Sequence, residues 1–112
     1  MIGYLDSSAL VKLAVEEPET EALGRTLEAW PELATSRLAR VEVPRALAAK
    51  GGAAVEAGRE VIDALLLVPL DDVVLDLAAA LGPPVLRVLD AVHLASAISL
   101  GDDLGASRTG AL

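Results

Sequence analysis

Short apolar runs alternate along this chain with longer stretches of helical periodicity. Ile2-Gly3-Tyr4-Leu5 opens the chain without polar alternation, which suits a strand buried on both faces. Ser7 or Ser8 can cap a helix carrying Leu10, Leu13 and Ala14. Pro18 suits the first turn of a second, acid-rich helix that ends before Pro31. Leu33 to Thr35 reads as another short strand, and Ser36 as the cap of a helix from Arg37 to about Lys50, closed by Gly51-Gly52. Pro44 falls inside that helix and cannot donate to the Arg40 carbonyl, so a kink or broken turn is expected beside Glu42.

Val55 to Leu66 is helical and leads into a strand over Leu67 to Leu70. Asp72 can cap a helix from Val73 to Leu81, stopped by Gly82-Pro83-Pro84. Val85 to Leu89, which includes Arg87, reads as the lead-in to a helix from about Leu89 to Leu100, with Gly101 as its stop. The last segment, Asp102 to Leu112, shows little strand character and no closing helix, so the fold is expected to be shortened at its C-terminal end. Strands separated by helices predict an α/β fold, a parallel sheet flanked by helices. A chain of 112 residues forms one domain, 1–112.

Composition narrows the function classes. At 54% hydrophobic residues, with a mean hydropathy of +0.52, some apolar surface is expected to need a partner. No run spans a bilayer, because the stretch from Ala64 to Leu70 contains Pro69 and meets Asp71 and Asp72, so no membrane association is expected. The start carries no basic leader, and a cytoplasmic location is the expectation. With no cysteine, disulfides and thiolate metal sites are excluded.

The net charge of −8 argues against holding nucleic acid by bulk electrostatics. The charge is nevertheless uneven. Arg37, Arg40, Arg45, Lys50 and Arg59 face only Glu42 and Glu56 between Ser36 and Arg59, whereas six glutamates and a single arginine occupy the stretch from Glu16 to Glu32. A locally basic segment can guide a phosphate backbone; equally, these arginines read as a solvated helix face.

Three carboxylates interrupt apolar or small-residue sequence where a charge is costly: Asp6, Glu42 between Val41 and Val43, and Asp90 before Ala91-Val92-His93-Leu94. Brought together by folding, they would make an all-oxygen pocket for a hard divalent ion. Singly, Asp6 and Asp90 read as well as helix caps, and Glu42 as an ion-pair partner of Arg45 or Arg40. His93, the sole histidine, lies one turn after Asp90 and reads first as a satisfied histidine packed near the sheet. Ser7 and Ser8 can hydrogen-bond a metal-bound carboxylate or cap the helix, and Lys12 lies one turn beyond Ser8. No glycine-rich phosphate loop is present.

The chain resembles the PIN-domain family, and within it the VapC-type toxins of bacterial toxin–antitoxin pairs. The resemblance is carried by Tyr4-Leu5-Asp6-Ser7-Ser8-Ala9-Leu10-Val11-Lys12-Leu13, by Thr35-Ser36 with Ala39-Arg40-Val41-Glu42-Val43 and Arg45-Ala46-Leu47, and by Leu89-Asp90-Ala91-Val92-His93-Leu94-Ala95-Ser96-Ala97 before Gly101-Asp102-Asp103-Leu104. These blocks follow one another in family order. The resemblance implies a PIN-like parallel sheet and a Mg²⁺- or Mn²⁺-dependent endoribonuclease. It assigns catalytic and metal-holding roles to Asp6, Glu42 and Asp90, and supporting roles to Ser7 and Ser8. Lys12, Arg37, Arg40 and Arg45 are the candidates for contact with RNA, and a VapB-type antitoxin is the implied partner. A fourth acid, common on the last strand of the family in a hydrophobic-x-Thr-x-Asp pattern, is replaced: if Thr109 stands for the threonine, Ala111 holds the acidic position. Weakened activity is therefore expected. The alternative is a catalytically degenerate module that captures an antitoxin or pairs with itself as a homodimer, and a nuclease acting on DNA is a third reading.

Overall fold

The apolar opening becomes β1 (Ile2–Tyr4), buried throughout in a computed structural model that describes residues 2–15, 32–83, 86–104 and 109–111. The chain then forms α1 (Ser7–Ala14), β2 (Glu32–Ser36), α2 (Ala39–Leu47), a 3₁₀ turn (Ala48–Lys50), α3 (Gly52–Asp63), β3 (Leu66–Val68), α4 (Asp72–Ala80), α5 (Val88–Leu104) and β4 (Thr109–Ala111). The strands form one sheet in the order β3-β2-β1-β4, every neighbouring pair parallel. Tyr4 stands opposite Ala34 on one side and Ala111 on the other, and Ser36 opposite Val68. The chain thus moves outward from β1 through β2 to β3, then returns to the far side of β1. In such sheets the crevice outside the carboxyl ends of the strands, where the order reverses, is the usual ligand site.

Both faces of β1 are covered, which is why it reads as a continuous apolar run. On one face Ile2 and Tyr4 pack with Ala34, Val68, Val74, Ala95 and Leu100, under α4 and α5. On the other, Leu5 joins Ala9, Leu10, Ala39, Val43, Leu47 and Ile62 under α1, α2 and α3. Beyond β1 the pairing continues through the Leu5 N–H to the Ala34 carbonyl at 2.9 Å, and the Thr35 hydroxyl donates to the Leu5 carbonyl at 2.7 Å. These bonds fix where the chain turns out of the sheet, immediately before Asp6.

Several expectations need correction. Of the kink or broken turn expected beside Glu42, the broken turn is absent: the helix runs on through Pro44, with Ala39, Val43 and Leu47, four residues apart, all fully buried and anchoring one face across it. The 3₁₀ turn then ends at Gly51, whose φ of 101° suits glycine. Asp71, not Asp72, caps α4: its Oδ1 accepts from the Val74 N–H at 3.0 Å. Gly101 does not stop α5 but lies inside it, and nothing there requires a left-handed residue. The strand expected at Leu67 to Leu70 spans Leu66–Val68 instead. The closing segment, read as poor in strand character, contributes β4, because pairing along β1 overrides a weak local preference. The helix expected from Pro18 lies outside the described residues.

Helix α3 approaches α2 closely at Gly58, where an added Cβ would stand 2.6 Å from Leu47 Cδ1 and 2.8 Å from Val43 Cγ1. Leu47 can swing aside, but β-branched Val43 is stiff at χ1. Gly58→Ala is therefore expected to lower the melting temperature even though alanine is the better helix former, since the overpacking cost of about 1–3 kcal/mol outweighs about 1 kcal/mol of propensity. A thermal melt of the variant checks this.

Candidate active site

All three singled-out acids sit where a helix begins. Asp6 is the N-cap of α1: its Oδ1 accepts from the Ala9 N–H at 3.0 Å and from the Ser8 hydroxyl at 2.8 Å. Glu42 lies in the first turn of α2 and Asp90 in the first turn of α5. Helix N-termini carry partial positive charge, which favours carboxylates there. The cap reading of Asp6 is thus correct for one oxygen and leaves the other outside that cap. Asp90 is exposed, and its side chain has no hydrogen-bond or ion-pair partner among the described residues.

Contacts tie the three acids to one end of the sheet. Ser7, next to Asp6, donates its hydroxyl to Glu42 Oε1 at 2.7 Å. Glu42 and Asp90 line one concavity of about 420 Å³, together with Arg87, Val88 and Leu89. As the side chains stand, no group of three His, Asp or Glu residues among those described is disposed to hold a metal ion. The donor chemistry, carboxylate oxygens only, still fits a hard cation that retains several of its own waters.

Glu42 has unexpected company. The arginines read as its ion-pair partners are not on it; instead His93 Nε2 lies 2.6 Å from its Oε1 and 3.2 Å from Ser7 Oγ. The other ring nitrogen, Nδ1, is 2.7 Å from the Tyr4 hydroxyl, and the two rings meet edge to face at 71°. His93 is 9% exposed and Tyr4 only 2%. Burial pushes the Tyr4 phenol well above its usual range, and the polar neighbours Ser96, Ser36 and Thr35 offset this only in part. The sequence reading of His93 as a satisfied histidine near the sheet is correct. Its contact with Glu42, and any role for Tyr4, were missed: 89 residues separate Tyr4 from His93 and 51 separate His93 from Glu42.

The basic residues divide. Arg37 and Arg40 line an open concavity of about 600 Å³ with Val41, Pro69, Leu70 and Asp71, on the exposed side of the helix that bears Glu42. Arg40 also borders a second hollow with Pro44, Glu56, Arg59, Ile62 and Asp63. Arg45 is exposed in the last turn of α2, and Lys12 is half-buried in the last turn of α1. Arg59 stands 3.8 Å from Glu56, an exposed pair of the kind that adds little stability.

Comparison with known proteins gives a consistent result. The PIN domain family matches residues 3–104. Ribonuclease VapC46 of Mycobacterium tuberculosis is 56% identical over 102 residues, covering 91% of this chain and 78% of that protein. Ribonuclease VapC47 of the same species is 43% identical over 111 residues, covering 95% of this chain and 82% of its own length. The crystal structure of M. tuberculosis VapC20, a sarcin–ricin loop cleaving toxin, superposes with a TM-score of 0.73 at 17% identity, over 100% of this chain and 89% of that one.

Proposed function

This chain belongs to the PIN-domain family as a VapC-type toxin, and on that premise we propose that it is a Mg²⁺- or Mn²⁺-dependent endoribonuclease. The observation that carries this reading is the arrangement of Asp6, Glu42 and Asp90 at the starts of three helices at one end of the sheet, with Glu42 and Asp90 lining the same hollow. Asp90 and Asp6 would hold the ion, with Glu42 directing its hydration. When bound, the ion supplies charge that polarises the scissile phosphate and acidifies water.

The protein's own groups do the rest. Asp6 keeps one oxygen on the α1 cap, so its carboxylate cannot rotate freely, and Ser8 holds the same oxygen. Ser7 restrains Glu42. Arg37 and Arg40, beside a partly apolar concavity, can draw the phosphodiester backbone past Glu42, with Arg45 and Lys12 contributing charge further along. We read the activity as weaker than that of a relative with a fourth acid, because the register sets Ala111 beside Tyr4, at the end of the strand that leads to Asp6.

A second reading, a non-catalytic module, draws support from the Glu42 carboxylate being already engaged by Ser7 and His93. In both readings the partner is a VapB-type antitoxin in the cytoplasm. Val73, Val88 and Leu89, all well exposed, and an apolar hollow of about 600 Å³ along α4 and the start of α5 offer surface for an antitoxin or for a second copy of this chain. No helix among the described residues is long and apolar enough to cross a membrane.

One assay separates the readings. Single-stranded RNA incubated with the protein is expected to be cleaved with Mg²⁺ or Mn²⁺ present, and EDTA is expected to abolish cleavage until excess metal restores it. Cleavage that survives EDTA rejects the metal-dependent mechanism. Antitoxin binding with no cleavage under any metal selects the non-catalytic reading.

A further inference from the structure

Glu42 Oε1 is the end point of a chain of polar contacts that begins in the core of the sheet. A carboxylate only accepts hydrogen bonds, so His93 Nε2, at 2.6 Å from Oε1, carries the proton in that contact. Tyr4 is buried, and its hydroxyl lies 2.7 Å from Nδ1; with the ring hydrogen on Nε2, Nδ1 is the acceptor and the phenol O–H the donor. Ser7 adds a second donor to the same Oε1 at 2.7 Å. In that tautomer donation runs from phenol to imidazole to carboxylate.

We propose that Tyr4 and His93 are positioning residues for Glu42. Tyr4 selects the ring tautomer with hydrogen on Nε2, and His93 with Ser7 clamps Oε1, leaving Oε2 for the hollow shared with Asp90. The clamp is effective because its far end is rigid: Tyr4 sits in β1 at the centre of the sheet and is 2% exposed, so the imidazole cannot turn without losing a buried hydrogen bond. Networks of this kind orient a ligating carboxylate and raise its precision, and their loss typically costs about 10–100-fold in metal affinity or activity. The inference rests on the ribonuclease reading for its kinetic consequence, but not for its structural content.

His93 is the only histidine and Tyr4 the only tyrosine, so the ring signals need no assignment. Nitrogen NMR of the full chain, uniformly ¹⁵N-labelled, is expected to show the ring hydrogen on Nε2 and Nδ1 as the acceptor. Tyr4→Phe, which keeps the ring packing, is expected to shift the Nδ1 resonance and admit the second tautomer. In the cleavage assay His93→Ala is expected to lower kcat about 10–100-fold with KM for RNA little changed. His93→Gln, which retains a donor, is expected to recover most of the loss.

A wild-type ring protonated on Nδ1 alone, or ring resonances unmoved by Tyr4→Phe in a variant that melts like wild type, would overturn the proposal. So would His93→Gln and His93→Ala variants that fold and lose activity equally. If the wild-type protein cleaves no RNA, the ribonuclease reading fails by itself, and the tautomer measurements alone decide the clamp.

Discussion

Asp90→Asn is expected to lower metal-dependent RNA cleavage on the order of 100-fold or more while leaving the melting temperature in the absence of metal nearly unchanged. Groups that merely support a metal ligand cost about 10–100-fold when lost, so a residue proposed to hold the ion itself should cost at least as much. The fold should not notice, because Asp90 is exposed and its side chain has no partner among the described residues. Asparagine keeps the size and removes only the charge. Asp6 offers the matching comparison. Asp6→Asn preserves the N-cap of α1, since asparagine caps as well as aspartate, and should lose activity without losing stability. Asp6→Ala should lose both, with about 1 kcal/mol of stability going with the cap. Steady-state cleavage rates and thermal melts on the four proteins check the pair. Wild-type cleavage by either asparagine variant would remove that acid from the reaction.

The largest effect on stability is expected at Leu47. Its side chain is fully buried where α2, α1 and α3 meet the sheet, within the cluster that includes Leu5, Leu10, Val43 and Ile62. Leu47→Ala removes that burial and leaves a cavity whose walls cannot fully collapse, at a cost of about 2–5 kcal/mol. Domains of this size have only about 5–15 kcal/mol in hand, and each kcal/mol corresponds to about 4–8 °C near 100 residues. The melting temperature should therefore fall by about 8–40 °C, with a matching drop in the urea midpoint. The same cavity would loosen α2, so the variant tests whether Glu42 keeps its place when its helix loses an anchor. A drop of only a few degrees would mean that the end of α2 contributes little to the cooperative fold.

The α/β layout, the position of β1 and the start of α1 were legible because they depend on local patterns: unbroken apolar residues for a doubly covered strand, and Asp6-Ser7-Ser8 for a helix start. Boundaries were less legible. Asp71 and Asp72 are adjacent and equally able to cap, and only the backbone of the turn after β3 selects the first. Gly101 looked like a stop, yet a glycine in open space can remain helical when the segment around it is anchored, as α5 is by Val92, Ala95 and Leu100. The last strand was read as absent because it is only three residues long and Gly110 and Ala111 disfavour strands; the neighbouring edge of β1 supplies the pairing.

The sequence by itself determined the family and the succession of described elements from β1 to α5, and it singled out three acids, since each of these is written in contiguous blocks or in a charge set against apolar neighbours. Tertiary structure decided what those acids touch. Nothing local predicts that Glu42 leaves its helical arginine neighbours for a histidine 51 residues away, or that a core tyrosine in β1 stands behind that histidine. Such partners are chosen by which helix starts the sheet order brings together at the carboxyl end of β1, and by the requirement that a buried phenol and a nearly buried imidazole find hydrogen bonds once water is excluded.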